Sequence, residues 1–219
     1  MRIITIDDNS VVIDYLVAAI TKRLVANEKV LWLIPGGSAI PIAVEVSHAI
    51  SSELKKNLTV SLTDERYGAL NHADSNWFQL SKAGFDFSGV TQKPVLIGLD
   101  RTDTTRHFDE TLSALQDGYD YSLGFFGIGP DGHTAGILPG SAALQSKHYA
   151  ADYDASNFER ITMTPTAIAA LDEAVAYAVG DTKWPILKQL QTELPVDIQP
   201  AQLLKNVRKL TIFTDYKGE

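Results

Sequence analysis

The sequence predicts an α/β protein: a mostly parallel, open sheet with helices on both faces, Rossmann-like in layout. Three observations predict it. Strand-like and helix-like segments alternate from one end of the chain to the other. The strand-like segments are largely continuous apolar runs, above all Val30 to Ile34 and Tyr121 to Phe126, as expected for strands buried on both faces. Both of these runs break into glycine-rich loops, Pro35-Gly36-Gly37-Ser38 and Gly127 to His133. Open α/β sheets place ligands beyond such strand ends.

The elements follow in order. Ile3 to Ile6 is a short strand, and Ser10 is positioned to cap a helix with Ile13, Leu16, Val17, Ile20 and Leu24 on one face. Val30 to Ile34 is a buried strand and Ile40 to Ile50 the next helix. Leu58 to Leu62 is a strand followed by a polar loop, Thr63 to Ser75, with Asp74 or Ser75 capping a helix through Phe78. Val95 to Leu99 reads as a short strand, and Asp103 to Leu115 as a helix with Asp103 at its cap. After the strand Tyr121 to Phe126 come two more, Ile161 to Thr164 and Ala174 to Val179. Asp181 caps a helix whose early turns tolerate Pro185, and Leu210 to Thr214 is the last strand.

A chain of 219 residues with 45% hydrophobic and 21% charged residues can bury a core without staples. No internal repeat or linker divides it, so residues 1–219 read as one domain. The absence of cysteine excludes disulfides, zinc thiolates and a cysteine nucleophile, and fits a reducing cytosol. The apolar stretches are strand-sized, so no membrane partner is expected. Met1-Arg2-Ile3 leads straight into a strand, without the pattern of a secretory leader, and a cytoplasmic location is expected. A net charge of −8 argues against a nucleic-acid partner but leaves room for a locally basic pocket that holds an anion.

Three strand-end loops carry groups suited to one pocket. In the first, Gly36 and Gly37 precede a helix whose free N–H groups form an anion cradle, and Ser38 adds a hydroxyl; read alone, the same residues make an ordinary tight turn. In the second, Thr63-Asp64-Glu65-Arg66, Arg66 is suited to bidentate grip on phosphate, and Asp64 to sugar hydroxyls or to orienting a catalytic partner. A solvated charge cluster is the plainer reading of that loop. In the third, Gly127-Ile128-Gly129-Pro130-Asp131-Gly132-His133, the glycines bring backbone N–H groups close to a ligand and His133 supplies a proton acceptor near neutral pH. His48, His107 and His148 lack such surroundings, and His72 lies within the second loop.

These loops resemble those of the glucosamine-6-phosphate isomerase/6-phosphogluconolactonase superfamily over nearly the full chain. The resemblance rests on Gly-Gly-Ser at 36–38, Thr-Asp-Glu-Arg at 63–66, Asp-Ser-Asn at 74–76 and, most specifically, Gly-Ile-Gly-Pro-Asp-Gly-His-Thr-Ala at 127–135. Arg-Ile-Thr-Met-Thr at 160–164 and Gly-Asp-Thr-Lys at 180–183 match more loosely. The amino-sugar branch resembles Asp-Gly-His followed by Ile-Ala-Phe-Asn-Glu-Pro, where this chain has Leu138 in place of the glutamate. It also tends to carry tyrosine where Arg66 stands. The lactonase branch is the closer match, although Ala39 replaces a common threonine and Gly136-Ile137-Leu138 replaces Ser-Leu-Phe.

The resemblance implies hydrolysis of 6-phospho-D-glucono-1,5-lactone to 6-phosphogluconate, in the oxidative pentose phosphate pathway, by a cytoplasmic enzyme needing neither cofactor nor metal. A monomer is expected. His133 would act as general base on water, with Asp131 or Asp64 supporting it. Backbone N–H groups of the Gly127 to Gly132 loop, with Gly129 and Gly132 among the substrate contacts, would hold the oxyanion. Gly36, Gly37, Ser38, Arg66, Arg160 and Lys183 would hold the phosphate. The alternatives are an amino-sugar phosphate deaminase or isomerase and a non-catalytic sugar-phosphate sensor. For the sensor, no DNA-binding segment precedes Ile3.

Overall fold

The computed structural model describes residues 1–218. The chain forms β1 (Arg2–Thr5), α1 (Ser10–Val25), β2 (Val30–Ile34), α2 (Ile40–Ala49), β3 (Leu58–Leu62), β4 (Asp64–Arg66), α3 (Asn76–Lys82) and β5 (Thr91–Gln92). It continues through α4 (Arg101–Ser113), β6 (Tyr121–Gly127), β7 (Ala150–Asp154), β8 (Glu159–Met163), α5 (Pro165–Ala169), β9 (Glu173–Tyr177), α6 (Trp184–Leu190) and β10 (Leu210–Thr214).

Seven strands form an all-parallel sheet in the order β1-β10-β9-β6-β2-β3-β5. β2, β3, β9 and β10 are buried along their whole length. Of these β2, Val-Leu-Trp-Leu-Ile, is continuously apolar, as a strand buried on both faces can be, whereas the other three also bury polar residues: Thr59, Ser61, Glu173, Thr211 and Thr214. From β1 to β5 the chain steps one way across the sheet, and from β5 to β10 it steps back. Right-handed crossovers therefore place α1, α2 and α3 on one face and α4 and α6 on the other. The reversal makes β2 and β6 neighbours whose exits diverge, opening a crevice between their carboxyl ends.

A second, three-stranded antiparallel sheet, β4-β8-β7, stands beside that crevice. It corrects two expectations. The segment after Leu62 is not a loop throughout, because at Thr63 the chain leaves the parallel sheet and Asp64–Arg66 pairs with β8. The strand near Ile161 joins this sheet, not the parallel one.

Other elements differ in detail. The expected strand Val95 to Leu99 is absent; the edge strand is the polar Thr91–Gln92, and Val95 and Leu96 are buried in the connection that follows. Asp100, not Asp103, caps α4, its carboxylate accepting the Asp103 N–H at 2.9 Å. Ser10 opens α1 without capping it, and its own N–H donates to Asp8. Ser75 caps α3 through the Phe78 N–H. Asp181 caps nothing: Gly180, in a left-handed conformation at φ +110°, starts the turn before α6, and its N–H donates to Asp215. Among the described residues no helix is long and apolar enough to cross a membrane.

Glu65 fixes the second sheet to the first layer of helices. Its carboxylate is fully buried and accepts the N–H groups of Arg66, Asn76 and Trp77 and the Ser75 hydroxyl, at 2.6–3.0 Å. Burial raises its pKa, and those four donors pull it part of the way back. Glu65→Ala leaves the donors buried without an acceptor and is expected to cost about 3 kcal/mol or more in urea unfolding. A cost below about 1 kcal/mol, the net worth of one ordinary hydrogen bond, would show that Glu65 does not tie β4 to α3.

Candidate active site

The crevice between β2 and β6 holds a cleft of about 260 Å³. Gly36, Gly37, Ser38, Asp64, Arg66, Gly129, His133, Arg160 and Lys183 all line it, so nine residues expected from sequence meet at one place. Asp131 and Gly132 lie behind this wall. Asn76 and Gly136 line it as well, with Pro35, Gly127, Ile128, Pro130 and Ala135.

His133 is held by the loop that carries it. Its imidazole Nδ1 lies 2.5 Å from Asp131 Oδ1, and its backbone N–H donates to the same oxygen at 3.1 Å. With Nδ1–H directed at the carboxylate, the neutral ring leaves the Nε2 lone pair free of any protein partner. Of the two carboxylates considered from sequence, Asp131 is therefore the one in contact with His133. Gly129 makes that contact possible: a Cβ there would stand 2.2 Å from the imidazole and 2.8 Å from Asp131 Oδ1.

The Gly129 N–H donates to the His133 carbonyl and the Gly132 N–H to the Gly129 carbonyl. Both amides are engaged inside the loop, so the expectation that these two donate to substrate does not match their geometry. Gly132, at φ +82°, shapes the turn.

Asp64 is 8% exposed and serves the cationic side of the cleft. It accepts the Thr63 hydroxyl at 3.0 Å, and its Oδ2 lies 3.4 Å from Arg160 Nη1. Gly136, at φ +70°, makes room for it, since a Cβ there would come within 2.5 Å of Oδ2. Arg66 donates from Nη1 to the Asp74 carbonyl at 2.8 Å. The Nε atoms of Arg66 and Arg160 are buried with no protein acceptor. Lys183 comes from the turn before α6; burial lowers its pKa, against the opposing charge of Asp215. On the β2 side, Gly37 (φ +71°) and Ser38 open the helical turn that runs into α2, where first-turn N–H groups have no intrahelical acceptor.

Asn76 was given no part from sequence, although it follows the capping serine. It is buried, donates from Nδ2 to the Asp64 carbonyl at 2.9 Å and packs against Gly36, where a Cβ would meet its Oδ1. His72 is structural: its Nε2 lies 3.0 Å from the Arg66 carbonyl. Among the described residues no group of three or more His, Asp or Glu is gathered to hold a metal ion.

The cleft at the strand-order reversal thus brings a histidine–carboxylate pair and three cationic side chains to one place. The family of glucosamine-6-phosphate isomerases/6-phosphogluconolactonase matches residues 9–213, and the chain belongs to it. Among relatives, 6-phosphogluconolactonase of Caulobacter vibrioides is 27% identical over 216 residues, covering 88% of this chain and 86% of that protein. That of Bos taurus is 27% identical over 171 residues, 72% of this chain. The matches span 65% of the bovine relative and 50% of the one from Chlamydia pneumoniae. The fold is that of a 6-phosphogluconolactonase from Shewanella baltica (TM-score 0.81, 19% identity, covering 98% of this chain and 97% of that one). A monomeric glucosamine-6-phosphate deaminase superposes nearly as well (TM-score 0.79, 17% identity, covering 98% and 97%), so the fold alone does not separate the two chemistries.

The Asp131–His133 contact has a titration consequence. Burial pushes the Asp131 carboxyl up, but the His133 backbone N–H and the imidazole's charge and hydrogen bond outweigh it and hold the pKa below the ordinary carboxylate value. A depressed carboxylate pKa stabilises the fold above its ordinary value, and that stabilisation fades as pH falls through the lower folded value. His133→Ala removes the imidazole's share, so Asp131 should titrate at higher pH in the variant by ¹³C NMR. Identical Asp131 titrations in both proteins would show that the imidazole does not hold it.

Proposed function

We propose that this protein hydrolyses 6-phospho-D-glucono-1,5-lactone to 6-phosphogluconate, the lactone-opening step of the oxidative pentose phosphate pathway. The observation that carries the reading is the His133–Asp131 pair set in one cleft with Arg66, Arg160 and Lys183. A lactone is an activated ester, so water needs only a positioned base. Nε2 of neutral His133 takes the proton as water attacks C1. Asp131, held anionic, favours the resulting imidazolium and fixes the ring's orientation. When the tetrahedral intermediate collapses, the C1–ring oxygen bond breaks and the imidazolium returns its proton to the departing oxygen.

The cations define the other end of the substrate. Arg66 and Arg160 offer planar forks, Lys183 a point charge, and the Gly37–Ser38 turn first-turn N–H groups, all suited to a phosphate dianion. Asp64, bonded to Thr63 and facing Arg160, keeps that guanidinium in place. Supporting lactonase over deaminase, Leu138 stands where the amino-sugar branch has its glutamate, and it cannot carry a proton. We further propose a cytoplasmic monomer, a reducing compartment being in keeping with a composition free of cysteine.

The test is a coupled assay on freshly prepared phosphogluconolactone, corrected for spontaneous hydrolysis, beside an assay for ammonia release from glucosamine 6-phosphate. Lactone turnover without ammonia is expected. His133→Ala should lower kcat by roughly 10²- to 10⁴-fold with little change in KM, the usual share of a positioned base. Near-normal turnover in that variant, or ammonia release by the parent protein, would overturn the assignment.

A further inference from the structure

Arg66 and Arg160 are direct cross-strand partners in the antiparallel pairing of β4 with β8. Like charges in that position repel, and sheets ordinarily avoid them. Each guanidinium is fixed at one corner only, Arg66 Nη1 by the Asp74 carbonyl and Arg160 Nη1 by Asp64 Oδ2. Their Nε donors are buried and no protein acceptor reaches them. What the two side chains share is a ring. Phe158 lies with its centroid 5.2 Å from the Arg66 guanidinium carbon and 5.8 Å from that of Arg160. It belongs to the tight connection between β7 and β8, closed by the Ala155 N–H donating to the Phe158 carbonyl at 2.9 Å.

We propose that Phe158 is a positioning residue for the phosphate group: its ring holds both guanidiniums toward one anion and thereby sets the preference for phosphorylated over unphosphorylated lactone. The inference rests on the function proposed above. A π face attracts a cation without using any of its N–H donors, unlike a carboxylate, which would occupy the fork. One ring serving two arginines offsets part of their mutual repulsion and restricts their rotamers. An anion between the two forks then removes the repulsion that the protein alone leaves in place. Phe158 stands in the connection immediately before β8, two residues ahead of Arg160, and this closeness in the chain brings its ring within reach of that guanidinium.

The experiment measures binding of 6-phosphogluconate by calorimetry, and steady-state kinetics on phosphogluconolactone and unphosphorylated gluconolactone, for the full chain and for Phe158→Leu and Phe158→Tyr. Phe158→Leu should raise the 6-phosphogluconate Kd and the phosphogluconolactone KM by about 3- to 30-fold, the range one or two cation–π contacts supply. kcat, and kcat/KM on gluconolactone, should stay within about twofold, because neither depends on those contacts. Phe158→Tyr keeps the ring and should behave like the parent protein. Equal losses on both lactones, an unchanged Kd in Phe158→Leu, or a tyrosine variant as impaired as the leucine one would overturn the proposal. Thermal melts accompany each variant, and Phe158→Met replaces the leucine variant should that one fail to fold. If the parent protein binds 6-phosphogluconate but turns over neither lactone, the proposed function fails while the Kd comparison still decides the role of Phe158.

Discussion

Two missing side chains shape this cleft. The loops leaving β2, β3 and β6 converge at the point where the strand order reverses, so tightly that polar side chains occupy the space where a glycine's Cβ would stand. Gly129 yields that space to His133 and Asp131, and Gly136 yields it to Asp64. A parallel sheet cannot bring reacting groups together through its own side chains, which are buried on both faces. It does so through backbone that comes close at the carboxyl ends of its strands. Gly129 therefore serves contact within its own loop, and Gly136 contact between loops, as Gly36 does where it meets Asn76.

The electrostatics follow from the same crowding. The chain carries a net charge of −8, yet its cleft gathers Arg66, Arg160 and Lys183. The acidic groups nearby are each engaged: Asp131 by His133, Asp64 by Thr63 and Arg160, and Glu65 by the amides that open α3. Asp215, beside Lys183, accepts the Gly180 N–H and the Trp184 indole N–H. A pair of arginines facing each other across a short ladder is a local conflict, and on the function proposed above it is kept for binding, as happens where a functional site overrides a folding preference.

Much of this was legible in the sequence, and the parts that were not have physical reasons. β2, β3 and β10 run as expected from Val30, Leu58 and Leu210: β2 is a continuous apolar run because both its faces are buried, and β3 and β10 carry apolar and β-branched residues suited to a strand. The antiparallel sheet escaped notice because β4 is Asp64-Glu65-Arg66, a polar triplet with no strand signature until β8 pairs with it. The reverse error came from Val95 and Leu96, whose apolarity reflects burial beneath a connection rather than pairing. Within the site, residue types in strand-end loops pointed to His133 and the cations. Sequence left Asp64 and Asp131 as equal partners for His133, since only the turn after Gly129 determines which carboxylate reaches the ring. Asn76, although part of the Asp-Ser-Asn motif, and Phe158 act through contacts with distant segments, Gly36 and Arg66, which the sequence alone does not give.

The most direct test of the account is the turnover of Gly129→Ala on freshly prepared phosphogluconolactone. The added methyl has no room beside the imidazole, and displacement of a catalytic group by about 1 Å costs about 10²-fold. The account predicts a loss of kcat of that order with KM for the phosphorylated substrate little changed, since the cationic wall is untouched, and a cooperative thermal transition retained. Near-parental kcat in a folded Gly129→Ala protein would contradict it, showing that the chemistry does not depend on where Gly129 lets His133 and Asp131 meet.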